Sequence, residues 1–351
     1  MWYVTFHGVS SSYNIYAYDD SGSLLTKTVL KTSSAPKDLL QKAQLRGMGF
    51  APDGDFYVVN SKEDVSQLVQ FSGKENSDHS RDYKAVFTSD DSVNAIVHPF
   101  AYTVDPASGN IFISSQDTNV VTQVFGPFGN ASPGAAAPIA SFLESIQNGK
   151  FLDGTFVASA YTNLPAYSGT GMQGITQVAQ PQGLDASPDD GSKVQKSVRG
   201  VLFTGKDLYV ADEPGNALKI YDGTSGNYKG DVSLPGPIHL LGIGTKIYAS
   251  CAGDKNANSP VGPSVKCIDL SSLQISTVVS DSNLTSVSGI AFGADGNFYV
   301  ADRTARTIRS YAPTTIPFTP LGVFIDSQKK NQDGLPDEPE FLLYVGYPVA
   351  G

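Results

Sequence analysis

The chain has 351 residues, of which 17% are charged, and its formal net charge at pH 7 is −10. The excess of acidic residues argues against nucleic acid and anionic membrane surfaces as partners, because both are negatively charged themselves. No apolar run approaches the ~20 residues that a membrane-spanning helix needs.

One short pattern recurs along the chain: an alternating strand, a tight turn, a buried aromatic or β-branched strand, and another alternating strand. The clearest copy spans 284–311, where a turn cluster at 293–297 follows the first strand. Other copies begin at Arg46, Ala101, Arg199 and Ile238. The second strands of the units begin near Trp2, Phe56, Ile111, Leu208, Ile247 and Phe298. Such repeats predict an all-β fold, because one unit alone cannot bury its apolar face.

The N-terminal stretch supplies only the later strands of a unit. Its missing first strand is predicted at Phe341–Val345, so that the two chain ends pair and close a ring without a free edge. We therefore predict a six-bladed β-propeller that occupies residues 1–351 as one domain. The long gap between the units at Ile111 and Leu208 leaves a seventh blade at 154–159 as the alternative. The stretch at about 160–197 is predicted to be a long insertion or lid.

Two cysteines and two glycosylation sequons bear on the compartment. Cys251 and Cys267 fall on neighbouring predicted strands of one blade, so we predict a disulfide bridge, with two buried free thiols as the alternative. The sequons begin at Asn130 and Asn283, each in a predicted loop. These features predict a secreted glycoprotein or a protein of the secretory-pathway lumen. We expect a monomer or a weak oligomer.

Ligand sites of a propeller gather at a mouth of the central tunnel, where all blades converge. The residues to inspect stand just before each inner strand and just after each second strand. The first set contains Arg46, His98 with Phe100, Arg199, His239 and Ser288. The second set contains His7, Asn60, Gln116 with Asp117 and Asn119, Asp212, Cys251, and Asp302 with Arg303. The sequence contains no nucleophile elbow, phosphate-binding loop, zinc spacing or dinucleotide fingerprint.

The arginines and histidines of this set predict a metal-free pocket for a small molecule. Arg46 and Arg199 present planar forks that suit carboxylates, enolates and polarised carbonyls. His98 and His239 can act as general acid and base near neutral pH. We predict that these four residues are catalytic and that no cofactor is needed. The alternatives are buried ion pairs for the arginines and structural hydrogen bonds for the histidines.

Other residues near the predicted mouth are expected to contact the substrate. They are Phe100, Tyr102, Gln116, Asp117, Asn119, Ser288 and Asp302. A different use of the same region stays open, because the oxygen atoms of Asn60, Asn119, Asp212 and Asp302 are ligands that a hard cation accepts.

The unit pattern, as in GIAFGADGNFYVAD from Gly289 to Asp302, resembles NHL-repeat and SMP-30/gluconolactonase-like propellers. In the lactonase branch the resemblance implies a Ca²⁺ ion held at the tunnel by a Glu, two Asn and an Asp. Here the equivalent inner positions are Arg46, Phe100, Arg199 and Ser288. Cationic side chains therefore stand where calcium ligands would be.

In size and secretory features the chain is also similar to fungal secreted propellers that catalyse hetero-Diels–Alder cyclisations of tropolonic meroterpenoids. A cycloaddition needs a shaped apolar cavity and hydrogen-bond donors to a carbonyl, and no nucleophile or metal. We therefore predict a natural-product cyclase of this kind. The alternatives are an SMP-30-like calcium lactonase, a lyase acting on uronate polysaccharides, and a non-catalytic propeller that binds glycans or proteins.

Overall fold

The described elements are all β-strands, as the sequence predicts. A computed structural model describes residues 1–7, 13–36, 39–40, 43–62, 65–89, 96, 98–105, 109–116, 120–124, 138–143, 146–147, 150–151, 198–223, 228–254, 260–326 and 338–346, with the backbone alone at 120 and over 138–151. No helix in these ranges is long and apolar enough to span a membrane. The predicted lid and the alternative blade at 154–159 lie outside the described residues.

Six sheets of four or five strands form the blades. Blade 1 consists of β1 (Trp2–His7), β2 (Tyr16–Tyr18), β3 (Leu24–Thr26) and the last strand, β27 (Glu338–Tyr344). Blade 2 consists of β4 (Leu30–Lys31), β5 (Leu45–Phe50), β6 (Phe56–Asn60), β7 (Gln67–Phe71) and β8 (Arg81–Ser89). Blade 3 consists of β9 (Pro99–Val104), β10 (Ile111–Ser115), β11 (Val120–Val124) and β12 (Pro138–Leu143). A separate two-stranded ladder follows, β13 (Ile146–Gln147) with β14 (Lys150–Phe151).

The other three blades are regular four-stranded antiparallel sheets. Blade 4 consists of β15 (Val198–Phe203), β16 (Asp207–Asp212), β17 (Ala217–Asp222) and β18 (Tyr228–Ser233). Blade 5 consists of β19 (Pro237–Ile243), β20 (Lys246–Cys251), β21 (Ser264–Asp269) and β22 (Ile275–Val279). Blade 6 consists of β23 (Val287–Phe292), β24 (Phe298–Asp302), β25 (Thr307–Ala312) and β26 (Thr319–Asp326). Every second strand begins within one residue of its predicted start.

Pairing of the chain ends closes the ring, which confirms the predicted closure. β27 runs antiparallel to β1, from Tyr344 opposite Trp2 to Glu338 opposite His7. The inner strands β5, β9, β15, β19, β23 and β27 contact one another in this order, and β27 contacts β5 again. The six-bladed propeller is therefore confirmed, whereas the extent of a single domain over 1–351 stays a prediction.

Each inner strand carries the same bulge, in which two residues face one residue of the second strand. We call the first residue of each bulge the rim residue and the second the axis residue. The rim residues are Arg46, Phe100, Arg199, Ile238, Ser288 and Glu340. The axis residues are Gly47, Ala101, Gly200, His239, Gly289 and Phe341. The bulge repeats the same geometry in every blade, so it sets which side chains enter the tunnel.

Glycine alternates with a larger residue around the axis because neighbouring inner strands approach closely there. A Cβ atom on Gly200 would lie 2.7 Å from the carbonyl oxygen of Ile238 and 3.2 Å from the Cα of His239. A Cβ atom on Gly289 would lie 2.7 Å from the carbonyl oxygen of Glu340 and 2.8 Å from the Cα of Phe341. The glycines therefore make room for the axis residue of the next blade.

Adding one methyl group at the axis should be costly. We expect Gly289→Ala to lower the free energy of unfolding by about 1–3 kcal/mol, because the added Cβ meets backbone atoms that cannot move aside easily. Gly262→Ala is the matched control, since nothing lies within 4 Å of a Cβ built there. Urea denaturation of both variants measures the difference, and equal stability of the two would contradict the close approach.

The predicted Cys251–Cys267 bridge is wrong, since both cysteines are buried free thiols. Cys251 pairs with Ser264 across the two strands, whereas Cys267 pairs with Tyr248. The cysteines are thus offset by three residues, or about 10 Å along the strand, and face opposite sides of the sheet. Burial raises the pKa of the Cys251 thiol to about 12, so this residue behaves as a small apolar side chain.

Candidate functional site

Three arginines meet at one end of the tunnel around a single buried glutamate. Glu340, the rim residue of blade 1, has a side chain that is only 1% exposed. Its Oε1 lies 3.3 Å from Nη1 of Arg46 and 3.7 Å from Nη1 of Arg303. Arg199 is the rim residue of blade 4 and adds to the positive charge that acts on Glu340. We call Arg46, Arg199, Arg303 and Glu340 the arginine mouth.

Arg46 is held in place by contacts from three blades. Its Nε donates a hydrogen bond of 2.7 Å to Ser61 Oγ, and its Nη1 donates one of 3.4 Å to Gln116 Oε1. Its Nη2 lies 3.2 Å from Nε2 of His98. The guanidinium group is buried and multiply bonded, which fixes its orientation towards Glu340.

Arg199 is more accessible, with a side chain that is 18% exposed. Its Nε donates to Oε2 of Glu213 at 2.5 Å, and its Nη1 donates to Oε1 of Gln116. Gln116 therefore bridges Arg199 and Arg46. Both guanidinium groups also lie over the ring of Phe100, at 5.2 Å for Arg199 and 5.4 Å for Arg46. These cation–π contacts anchor the two arginines to the tunnel wall.

Arg303 follows β24 and completes the mouth. Its Nη2 lies 2.7 Å from Nδ1 of His7 and 3.1 Å from Oε2 of Glu338. The side chain is 24% exposed, but its Nε is buried and has no hydrogen-bond partner among the described residues. The same holds for Oε2 of Glu340. Unpaired buried donors and acceptors are costly, so these two atoms mark where a polar ligand or water is expected to bind.

The charges of the mouth fix its protonation state near neutral pH. Burial of Glu340 favours its protonated form, but the guanidinium groups of Arg46, Arg303 and Arg199 hold the pKa of this carboxyl below its usual value. Burial lowers the pKa of His7, and the neighbouring arginines act in the same direction. The mouth therefore presents an ionised carboxylate and a neutral imidazole beside three guanidinium groups.

Two phenylalanines close the tunnel below the arginine mouth. The ring centroids of Phe100 and Phe341 are 5.0 Å apart, and the ring of His239 lies 5.1 Å from that of Phe341. His239 lines a funnel of about 290 Å³ that follows the inner strands away from the mouth. The structure thus brings Arg46, His98 and Arg199 together and places His239 beyond the phenylalanines.

Of the predicted substrate contacts, Phe100 and Gln116 lie at the mouth. Ser288 Oγ donates a 2.7 Å hydrogen bond to the carbonyl oxygen of Glu340, which ties blade 6 to blade 1. Tyr102 lies in the funnel wall and donates to the carbonyl oxygen of Gly49 at 2.8 Å. Both polar groups therefore serve contacts between neighbouring blades.

The remaining predicted substrate contacts are Asp302, Asp117 and Asn119. Asp302 is buried and accepts hydrogen bonds from the backbone N–H groups of Thr285 and Ser286, at 2.7 and 3.0 Å, so it fixes the entry into β23. Asp117 and Asn119 lie outside the described residues. So does the sequon residue Asn130, whereas Asn283 is exposed.

The mouth does not fit the calcium site that the resemblance to lactonases implies. Among the described residues, no group of three or more His, Cys, Asp or Glu side chains is placed to hold a metal ion. The carboxylate of Glu340 is flanked by the guanidinium groups of Arg46 and Arg303, which would repel a divalent cation. Asn60 and Asp212, predicted as possible cation ligands, accept hydrogen bonds from backbone N–H groups near their own strands.

Three residues that balance or hold the arginines could not be predicted from their local sequence. Glu340, Glu213 and Ser61 were not among the predicted site residues, although all three contact Arg46 or Arg199 or stand between the arginines. Each occupies a position that recurs in every blade, either the rim or the residue after the second strand. Because these two positions recur in every blade, the repeat could have identified all three residues from the sequence.

The chain is similar in fold to several solved structures. Neither a family model nor a curated protein matches the sequence. Among solved structures the chain is similar to a putative 6-phosphogluconolactonase from Bacteroides fragilis, with a TM-score of 0.53 and 12% identity over 98% of this chain and 97% of that one. It is similar to the periplasmic gluconolactonase PpgL of Pseudomonas aeruginosa, with a TM-score of 0.52 and 13% identity over 99% of each chain.

A third similar structure is a chain from a nidogen–laminin complex, with a TM-score of 0.55 and 10% identity over 97% of each chain. The chain is a β-propeller. At these identities the similarity establishes the fold alone. The similar structures include two proteins described as lactonases and one chain from a nidogen–laminin complex.

Proposed function

We propose that this propeller is a metal-independent lactonase that hydrolyses a small anionic lactone at the arginine mouth. The observation that carries the proposal is the gathering of three guanidinium groups around one buried, ionised carboxylate. Guanidinium groups recognise carboxylate and phosphate and also polarise carbonyl oxygens. The similarity in fold to proteins described as gluconolactonases supports a sugar-acid lactone as the substrate class.

Ester hydrolysis needs a polarised carbonyl, an activated water and a proton for the leaving alkoxide. Arg199 and Arg303 are the more exposed arginines, at 18% and 24%, so we assign them to the oxyanion and to the second anionic group of the substrate. Glu340 holds the guanidinium groups together and keeps them oriented. The neutral imidazole of His7, beside Arg303, is assigned to proton exchange, and His98 keeps the acid–base role predicted from the sequence.

We favour lactone hydrolysis over the cyclisation predicted from the sequence, because the arginine mouth is charged rather than apolar. A cycloaddition gains little from several fixed charges, whereas a developing oxyanion gains much. Cyclisation and elimination on a uronate stay untested predictions. A small-molecule substrate and secretion through the secretory pathway are likewise proposals.

The proposal is tested by a panel of lactones assayed with the full chain. 6-Phosphogluconolactone, which carries a phosphate, and gluconolactone, its uncharged counterpart, are followed by proton release, with EDTA and without it. We expect faster turnover of the anionic 6-phosphogluconolactone than of gluconolactone, and the same rates in EDTA. Activity lost in EDTA and restored by Ca²⁺ would instead favour the calcium lactonase, and absence of hydrolysis across the panel would refute lactonase activity on this class.

Replacing one accessible arginine should separate catalysis from folding. Arg199→Ala is expected to lower kcat/KM for an anionic lactone by about 100- to 1,000-fold, the usual effect of losing one oxyanion donor. Arg309→Ala is the matched control, because Arg309 also faces a carboxylate, with Nε 3.4 Å from Asp281, but lies on β25 in blade 6. Equal activity of the two variants at equal melting temperature would show that Arg199 is only an ion-pair partner.

A further inference from the structure

The funnel beyond the phenylalanines is a second cavity, separate from the arginine mouth. Its walls come from the inner strands of blades 2 to 6 and from β27, and His239 and Phe341 lie at its inner end. No Asp, Glu, Lys or Arg is among its described lining residues. An uncharged ligand is therefore favoured, because an ion would lose its hydration without gaining a partner.

One ring nitrogen of His239 accepts a hydrogen bond from the protein, and the other can donate one to a ligand. The backbone N–H of Ile290 donates to Nδ1 of His239 at 3.3 Å. The accepting nitrogen cannot carry a proton, so the neutral ring carries it on Nε2. Burial lowers the pKa of this imidazole to about 4, so it is neutral near pH 7. No described residue accepts a hydrogen bond from Nε2–H.

The remaining polar side chains of the funnel are already engaged. Tyr102 donates to the carbonyl oxygen of Gly49 at 2.8 Å, and Thr103 Oγ1 accepts from the backbone N–H of Phe203 at 3.1 Å. The hydroxyl of Tyr344 donates to Asp20 at 3.3 Å. Among the described lining residues, His239 therefore offers an N–H donor to a ligand, and the hydroxyl of Thr103, which accepts a hydrogen bond here, keeps an O–H donor as well.

We propose that the funnel is a binding site for a small, uncharged, largely apolar molecule that presents a carbonyl oxygen to Nε2–H of His239. The apolar walls supply most of the affinity, and the Nε2–H donor of His239 sets the orientation of the ligand. The cavity volume of about 290 Å³ limits the ligand to roughly the size of a substituted monocyclic ketone. This site does not depend on lactonase activity at the arginine mouth.

The direct test observes the imidazole itself. The chain has four histidines, so its side-chain NMR signals can be assigned with isotope-labelled histidine and the His239→Phe variant. Propiophenone is the probe, and propylbenzene, which has the same apolar body without the carbonyl, is the control. We expect propiophenone to shift the Nε2–H signal of His239 strongly and propylbenzene to shift it weakly.

Affinity measurements give a second, independent readout. The carbonyl should make propiophenone bind about three- to tenfold more tightly than propylbenzene to the wild-type chain, as one neutral buried hydrogen bond allows. In the His239→Phe variant the two ligands should bind equally. Leu241→Trp places an indole in the funnel wall and should weaken both ligands.

Each outcome decides the matter. Equal affinity of the two ligands for the wild-type chain, with an unmoved Nε2–H signal, would show that His239 does not recognise the carbonyl. Failure of propiophenone to bind the folded chain at millimolar concentration would overturn the site altogether. If the wild-type chain binds propiophenone but hydrolyses none of the lactones, the proposed function is refuted and this inference stands.

Discussion

A chain that lacks residues 338–351 is expected to yield no soluble folded protein. The deletion removes β27, whose residues Pro339 to Leu342 are buried and pair with β1. It leaves two open edges in the ring and removes Phe341 from the axis, where the ring contacts Phe100 and His239. Unpaired strand edges and exposed apolar residues favour aggregation. Soluble yield and far-UV circular dichroism measure the loss.

The control for this deletion is a chain that ends at Gly346, which keeps all of β27. We expect it to melt at the wild-type temperature. A peptide covering 338–346, added during refolding, should rescue part of the soluble yield of the longer deletion by restoring the missing strand. A chain ending at residue 337 that melted like the wild type would refute closure by β27.

Most of the fold could be predicted from the repeated units. Buried aromatic and β-branched runs located the second strands at Phe56, Ile111 and Phe298 without error. The isolated N-terminal strand and the apolar run near Phe341 indicated that the chain ends pair. Local sequence carries this information because each blade is built from neighbouring segments, with turns that depend on Gly, Asn and Asp.

Strand register was the part that local sequence did not reveal. Cys251 and Cys267 lie on adjacent strands as predicted, but the turn between these strands offsets them by three positions. The same limitation applies to His239. Its position before an apolar run suggested the mouth, whereas the bulge makes it an axis residue that faces the funnel. An offset of one residue decides which side of the phenylalanines a side chain occupies.

A pattern in the second strands identifies the axis residues in hindsight. Where the axis residue is not glycine, a hydroxyl of the facing residue accepts its backbone N–H, as Ser250 does for His239 at 3.1 Å and Thr5 for Phe341 at 3.2 Å. Where the axis residue is glycine, the facing residue is Val59, Ala211 or Ala301. Comparing the inner strand with the second strand of each blade would have located the bulge in every blade. It would also have assigned Glu340 to the rim position.

The buried position of Glu340 makes it the most consequential single side chain of the arginine mouth. We expect Glu340→Gln to lower the free energy of unfolding by about 3 kcal/mol near pH 7, because Arg46 and Arg303 then lose their shared counter-ion in a buried site. Glu338→Gln is the control. Glu338 also pairs with Arg303, at 3.1 Å, but is 34% exposed, so its loss should cost less than about 1 kcal/mol.

The effect of Glu340→Gln should also depend on pH with a definite sign. The pKa of Glu340 lies below its ordinary value of 4.5 in the folded chain. A depressed pKa contributes stability that is fully present above the unfolded value and is lost as the pH falls through the folded value. The gap between wild type and Glu340→Gln should therefore be constant from about pH 7 down to about pH 5 and shrink below that. Urea denaturation at each pH measures it. A gap that widened on acidification would mean that Glu340 is protonated in the folded chain, and the arginine mouth would then lack the carboxylate on which its arrangement depends.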